Sequence, residues 1–253
     1  MHIPVLKTLD KTFEIVAICS RTQESLDMAQ KLLNVSVDFS TDAKSILERE
    51  DIDAVDILMP IDTMPEMVHL AFQAGKHVIS EKPMAPDVAS GRRLLEARTD
   101  RVWMVAENFR YEDALLEAAR IIQSGEIGKP VTFHWDFYSA MTPGNLYYRP
   151  EWRHTGAFPG GFLMDGGVHV AAGLRLILGE IQRVNATIIQ VRSDLPPADT
   201  MSASLVFDSG VIGSWNMTYA YGTPWPHTLH IACERGAMRV DMHSIEVVIG
   251  NET

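Results

Sequence analysis

A chain of 253 residues, 46% hydrophobic and 22% charged, has the balance of a soluble globular protein and room for one large or two modest domains. Its formal net charge of -11 argues against general nucleic-acid or anionic-membrane binding, although a pocket can still be locally basic for an anionic ligand. No apolar run reaches the roughly 20 residues that span a bilayer, and no charged segment leads into an apolar one at the start, so the expected location is cytoplasmic.

Strand and helix signals alternate through the first half. Residues 13–20, FEIVAICS, form a short apolar, β-rich run, and SLDMAQKLLN follows with Leu26, Ala29, Leu32 and Leu33 on one helical face. A short strand is expected near residues 35–39, and Thr41 or Asp42 is placed to cap the helix DAKSILERE. AVDILMP is a buried strand closed by Pro60, and PEMVHLAFQAG is a helix stopped by Gly75. KHVISEKP reads as a strand, DVASGRRLLEART as a helix and VWMVAENF as a strand. Alternation of this kind implies an α/β class with a doubly wound parallel sheet.

The pattern changes after the helix DALLEAARIIQSG. VTFHWDFYSA partly alternates, one helix is expected near residues 168–178 before Gly179, and strand signals follow. SASLVF and VIGSWNMTYA are joined by Asp208-Ser209-Gly210; TLHIACE and AMRVDM are joined around Arg235-Gly236. These predict an antiparallel sheet covered by helices on one face, with the domain boundary near residue 110: 1–110 and 111–253. Cys19 and Cys233 both sit in apolar strand-like runs, which predicts two buried thiols in a reducing compartment. The nine histidines suggest no metal site, since His227 and His230 lack a third ligand at plausible spacing.

No Gly-x-Gly-x-x-Gly occurs in the first half, and no strand with a glycine-rich turn precedes Phe13. In a doubly wound fold that turn carries a pyrophosphate on a helix N-terminus, and its strand lies centrally in the sheet. The expectation is a chain lacking its first strand and phosphate loop, with a gap beside the strand that contains Cys19.

Two constellations carry chemistry. In Gly75-Lys76-His77-Val78-Ile79-Ser80-Glu81-Lys82-Pro83, Lys82 follows the C-terminal end of a parallel strand, where such folds bind ligands. Its ammonium is either solvated before a turn or placed to bind a substrate oxygen and stabilise developing charge. In Gly160-Gly161-Phe162-Leu163-Met164-Asp165-Gly166-Gly167-Val168-His169, Asp165 and His169 are four apart and share a helical face. They read either as a capping aspartate and a core histidine or as a proton shuttle whose imidazole is oriented by a carboxylate. Weaker is Ser20-Arg21-Thr22 after the Cys19 strand. No carboxylate lies there before Glu24, so the turn suits a ribose 2′-phosphate or is an ordinary surface turn.

The strand ending in Pro60, then A-G-K-H-V-I-S-E-K-P, E-N-F-R-Y and G-G-F-L-M-D-G-G-V-H, come in the order found in the Gfo/Idh/MocA oxidoreductases, which the chain resembles over nearly its whole length. The resemblance implies an incomplete Rossmann-type domain and an α+β domain whose open sheet mediates homo-oligomerisation. It implies a catalytic set of Lys82, Asp165 and His169. It implies NADP, or NAD, bound by Ser20, Arg21, Thr22, Pro60, Glu81, Lys82, Asn108, Arg110, Trp152 and Arg153. Arg110, Tyr148, Trp152 and Arg153 are expected around the pocket. The sequence departs from the family pattern at Val170-Ala171-Ala172, where many members carry an aspartate, and at Met64-Pro65, near which many carry a histidine. The expected activity is hydride transfer between NAD(P) and a secondary alcohol or carbonyl, of a sugar or polyol, although the missing phosphate loop favours no activity for this exact chain. The alternatives are a dinucleotide-sensing protein of the same fold without turnover and a purely structural subunit.

Overall fold

The structure, a computed structural model, describes residues 2–33, 37–150, 153–156, 158, 160–223 and 227–250. Its internal contacts separate two compact units, Met1–Ser80 with Ala89–Met104, and Glu81–Val88 with Val105–Thr253.

The first unit runs α1 (His2–Thr8), β1 (Ala17–Cys19), α2 (Gln23–Leu32), β2 (Asp38–Ser40), α3 (Ala43–Leu47), β3 (Ala54–Ile57), α4 (Met64–Gln73), β4 (His77–Ser80), α5 (Val88–Ala97) and β5 (Trp103–Val105). Caps set the helix starts: Asp42, rather than Thr41, accepts from the Lys44 N–H at 2.9 Å as one of the two expected caps, and Thr22, expected at the cofactor, accepts from the Ser25 N–H at 3.3 Å. The strand expected over 13–20 is shorter. β1 pairs in parallel with β2 over three residues only, Ala17 to Asp38 through Cys19 to Ser40, and Phe13 is 50% exposed. A strand extends only as far as its partner reaches. Cys19 is exposed and Cys233 half-buried, both as free thiols, so the expectation of two buried thiols fails. A three-residue strand with one neighbour has little sheet to bury its side chains under.

The parallel strands fall into two separate sheets, β1–β2 and β3–β4–β5. β3 and β4 pair in parallel from Ala54 with His77 to Ile57 with Ser80. Among the described residues no strand joins β1 to β3. Helix α1 is bonded to both pieces. His2 Nδ1 lies 2.8 Å from Asp56 Oδ2 on β3, and Lys7 Nζ donates to the Leu32 carbonyl at the end of α2 at 3.1 Å. On the β3–β5 side, Val68, Ala71 and Phe72 of α4 are buried, and Phe72 meets Trp103 edge to face at 5.4 Å.

The second unit contains a 3₁₀ turn (Asn108–Arg110), α6 (Asp113–Ser124), β6 (Pro130–Tyr138), α7 (Gly161–Leu178), β7 (Ile181–Ile189), β8 (Thr200–Phe207), β9 (Ile212–Thr218), β10 (Thr228–Cys233), β11 (Gly236–Val240) and β12 (Ile245–Ile249). The strands form one seven-stranded sheet in the order β12-β11-β10-β6-β9-β8-β7. It is mixed rather than antiparallel throughout, because β6 and β9 pair in parallel. Helix α7 begins seven residues before the expected Val168: Gly160, at φ 73°, turns the chain into it in a left-handed conformation that L side chains avoid. Helices α6 and α7 bury Leu115, Ile121, Val170 and Leu174 against Phe133, Trp135 and Leu229 of one sheet face. α7 has 18 residues and a mean hydropathy of 1.3, enough in length and composition to cross a membrane, yet 56% of it is buried within the fold, as in a core helix. The opposite sheet face carries a polar ladder: His134 bonds Ser214 Oγ at 2.6 Å and Asp136 at 2.8 Å, and Asn216 donates to Asp136 at 3.0 Å.

Candidate active site

Lys82 follows β4 by two residues, and the segment Glu81–Val88 belongs to the second unit. The Lys82 backbone N–H donates to Glu81 Oε2 at 2.9 Å, folding the glutamate back on the corner. The ammonium donates to Asp165 Oδ1 at 2.9 Å and to the Asp165 carbonyl at 2.7 Å. Lys82 and Asp165 side chains are only 16% and 11% exposed. Arg153 holds the other oxygen, with Nε at 3.0 Å and Nη2 at 2.8 Å from Oδ2. The guanidinium also donates to the Tyr147 carbonyl at 3.2 Å and lies 5.6 Å from the Tyr147 ring centre. One buried carboxylate is thus shared by two cations, one on each oxygen.

His169 lies one turn further along α7, as the four-residue spacing requires. Its partner is not Asp165, whose two oxygens are occupied. The partner is Glu107, the N-cap of the 3₁₀ turn, with Oε1 2.6 Å from His169 Nδ1. The same oxygen accepts the Phe109 N–H at 3.0 Å, and the Phe109 ring stacks on the imidazole at 4.9 Å and 27°. Glu107 is 7% exposed, and its Oε2 is buried with no hydrogen-bond partner among the described residues. A buried acceptor left open costs about 1–3 kcal/mol, more for a charge, so this glutamate is an expensive way to hold a fold together.

The α7 backbone comes close to β9 and its continuation. A Cβ added to Gly166 would lie 1.6 Å from the Tyr219 hydroxyl, so no larger residue fits between Asp165 and that ring. Burial, reinforced by the Asp165 charge and opposed by Arg153, pushes the Tyr219 phenol far above its usual range, so it stays protonated at neutral pH.

The second unit therefore brings together Lys82, Arg153, Asp165 and His169. Of the rest, Thr22 spends its hydroxyl on capping α2, where it also donates to Ser25 Oγ at 2.9 Å. Ser20 follows β1, its N–H bonded to the Ser40 carbonyl at 3.1 Å. Arg21 is exposed and has no hydrogen bond or ion pair among the described residues. Pro60 closes β3 with its carbonyl on the N–H groups of Thr63 and Met64. Asn108 donates to Glu112 Oε1 at 2.8 Å, and Arg110, exposed, ends the 3₁₀ turn. Tyr148 donates to Asp194 Oδ2 at 2.9 Å, a structural bond. Trp152 lies outside the described residues. Glu107 is the site residue that sequence reasoning passed over. The signal was its place directly before Asn108 in E-N-F-R-Y, but nothing in the spacing links it to a histidine 62 residues on.

Two family profiles cover most of the chain: "Oxidoreductase family, NAD-binding Rossmann fold" over residues 1–109, and "GFO/IDH/MocA C-terminal domain" over residues 115–239. Dehydrogenase FPY6 of Fusarium mangiferae is 33% identical over 219 residues, 80% of this chain and 62% of that protein, so the chain spans less than two thirds of that relative's length. An oxidoreductase of Thermotoga maritima superposes with a TM-score of 0.91 at 32% identity, covering 100% of this chain and 79% of that one. A levoglucosan dehydrogenase solved with NADH and L-sorbose gives a TM-score of 0.83 at 25% identity over 94% of this chain and 67% of that one. With its motifs, its fold and these likenesses in agreement, the chain belongs to the Gfo/Idh/MocA family of NAD-binding oxidoreductases.

Proposed function

We propose that the protein is a dehydrogenase that moves a hydride between NADP and a secondary alcohol or carbonyl of a small sugar or polyol. The observation that carries this reading is the buried Lys82–Asp165–Arg153 set one helical turn from His169. The levoglucosan dehydrogenase, with its bound NADH and L-sorbose, supports the substrate class. The dinucleotide supplies the two-electron hydride acceptor. Lys82 bonds the substrate oxygen and stabilises the charge that grows there as the O–H bond breaks. His169 takes the hydroxyl proton on the ring nitrogen that Glu107 does not engage. Asp165 holds Lys82 and Arg153 at fixed positions rather than orienting His169.

The residues suited to the dinucleotide are Ser20 and Arg21 at the end of β1, for the adenosine ribose, with Pro60, Glu81, Asn108 and Arg110 as further candidates. Arg21, exposed and without a partner among the described residues, fits a 2′-phosphate. Trp152 completes the candidate set from sequence alone. The polar ladder on the sheet's open face, flanked by exposed Ile189 and Ile212, is proposed to pair with a second copy, which sedimentation would register.

Steady-state reduction of NADP with a panel of sugars and polyols is the direct test. Lys82→Ala and His169→Ala should each lower turnover by about 10²- to 10⁴-fold with the fold retained by circular dichroism. Near-normal rates in both variants would overturn the assignment. NADP should bind about tenfold to a hundredfold tighter than NAD, the worth of one charge-assisted contact. Equal affinities, unchanged in Arg21→Ala, would count against the 2′-phosphate contact.

A further inference from the structure

We infer that Glu107 is a positioning residue of this site, holding His169 in the tautomer that leaves Nε2 open to receive the substrate proton. The inference rests on the dehydrogenase reading above and assigns a residue which that reading leaves without a role.

Four observations carry it. A carboxylate oxygen accepts and cannot donate, so the 2.6 Å contact between Glu107 Oε1 and His169 Nδ1 puts the ring proton on Nδ1. Asp165, the nearer residue in sequence, is excluded from the task because Lys82 and Arg153 take both its oxygens. Phe109 fixes both members of the pair: its N–H donates to the same glutamate oxygen at 3.0 Å, and its ring stacks on the imidazole at 4.9 Å. Finally, all the described bonds of the carboxylate run through Oε1, while Oε2 is buried and unpartnered. A carboxylate serving only the fold would be expected to use both oxygens.

The chemical consequence follows from the balance of the step. As the alcohol is oxidised its C–H bond breaks, and the hydride with its electron pair leaves for the dinucleotide. The O–H bond breaks, its proton goes to His169 Nε2, and the carbonyl π bond forms. The imidazole becomes a cation as this happens, and the buried Glu107 carboxylate then faces that cation directly. A free neutral histidine side chain favours the opposite tautomer, with the proton on Nε2, in which the lone pair would point at Glu107 and away from the substrate. Glu107 therefore both selects the reactive ring form and stabilises the product of the proton transfer.

The test reads the ring directly. The 253-residue chain, labelled with ¹⁵N-histidine, is studied by long-range proton–nitrogen correlation at about pH 8, where imidazoles are neutral; His169→Asn identifies the signals. The wild-type ring should carry its proton on Nδ1, and Glu107→Ala should shift it toward Nε2. Glu107→Gln keeps an acceptor oxygen and guards against misfolding of the alanine variant; it should keep the tautomer but lose the charge. In turnover assays it should lower kcat at least about tenfold while KM stays within about threefold. An Nε2–H ring in the wild type, an Nδ1–H ring that survives Glu107→Ala in folded protein, or wild-type kcat in Glu107→Gln would each overturn the inference. Absence of turnover with every sugar and polyol tried would instead defeat the dehydrogenase reading, and the nitrogen spectra would still decide whether Glu107 sets the tautomer.

Discussion

Asp165 sits where two buried cations meet, and that placement sets what happens when it is removed. Lys82 and Arg153 would be left facing each other with side chains 16% and 12% exposed and no shared counter-charge. Breaking a buried pair from one side costs about 3–5 kcal/mol, whereas removing both partners costs much less. Asp165→Leu should therefore lower unfolding stability by about that amount in urea titrations, and Lys82→Met in the same chain should recover part of the loss. If Asp165→Leu melts like the wild type, the carboxylate is not holding the cations. At this scale the sequence was informative but incomplete. Lys82 was legible from its strand end, and Asp165 and His169 from their spacing on α7. Their partners were not, because helical spacing brings two side chains to one face without saying which neighbour each will bond. Arg153 proved to bond Asp165, and Glu107 took the histidine.

Elements were legible where a local rule governs them. Asp42 caps its helix, Gly125 ends α6 at φ 71°, and Gly210 makes the turn between β8 and β9 at φ 85°. Pairing across the sheet was not legible. The parallel contact of β6 with β9 joins strands 74 residues or more apart, and β7 gave no expected strand because it carries little alternation at all. The start of β10 offers a measurable consequence. His227 stacks on Phe137 with ring centres 3.8 Å apart, and its Nδ1 is buried without a partner among the described residues. Burial lowers its affinity for a proton, so the folded form resists protonation that the unfolded chain accepts near the usual histidine value of about 6.5. Its contribution is intact above that pH and is lost as pH falls below it. The denaturation midpoint of the wild type should thus fall more between pH 7.5 and about pH 5 than that of His227→Phe, which keeps the stacking. Identical pH dependence in the two proteins would remove His227 from the account.

At the scale of the whole molecule, the family could be read from the order of the motifs, and the separation of β1–β2 from β3–β5 matches the gap expected beside the Cys19 strand, but the parallel pairing inside the second unit's sheet was not expected. Nor was the size of the strands: β1, β2 and β5 have three residues each, since paired length depends on neighbours rather than on apolar runs. Without a glycine-rich turn among the described residues, this chain should bind NADP only weakly, with a dissociation constant above about 100 μM, or less than about 5.5 kcal/mol of binding free energy by calorimetry. Micromolar binding would mean that the adenosine and nicotinamide ends suffice. The bridging role of α1 reaches further. Its bonds to Asp56 and to Leu32 tie a two-stranded ribbon to a three-stranded one through a helix with no buried residues. Amide protons of 17–19 and 38–40 are then guarded by a different opening event from those of 54–57 and 77–80. Deuterium should enter the first group sooner, and the two groups should part further when Lys7 can no longer hold Leu32.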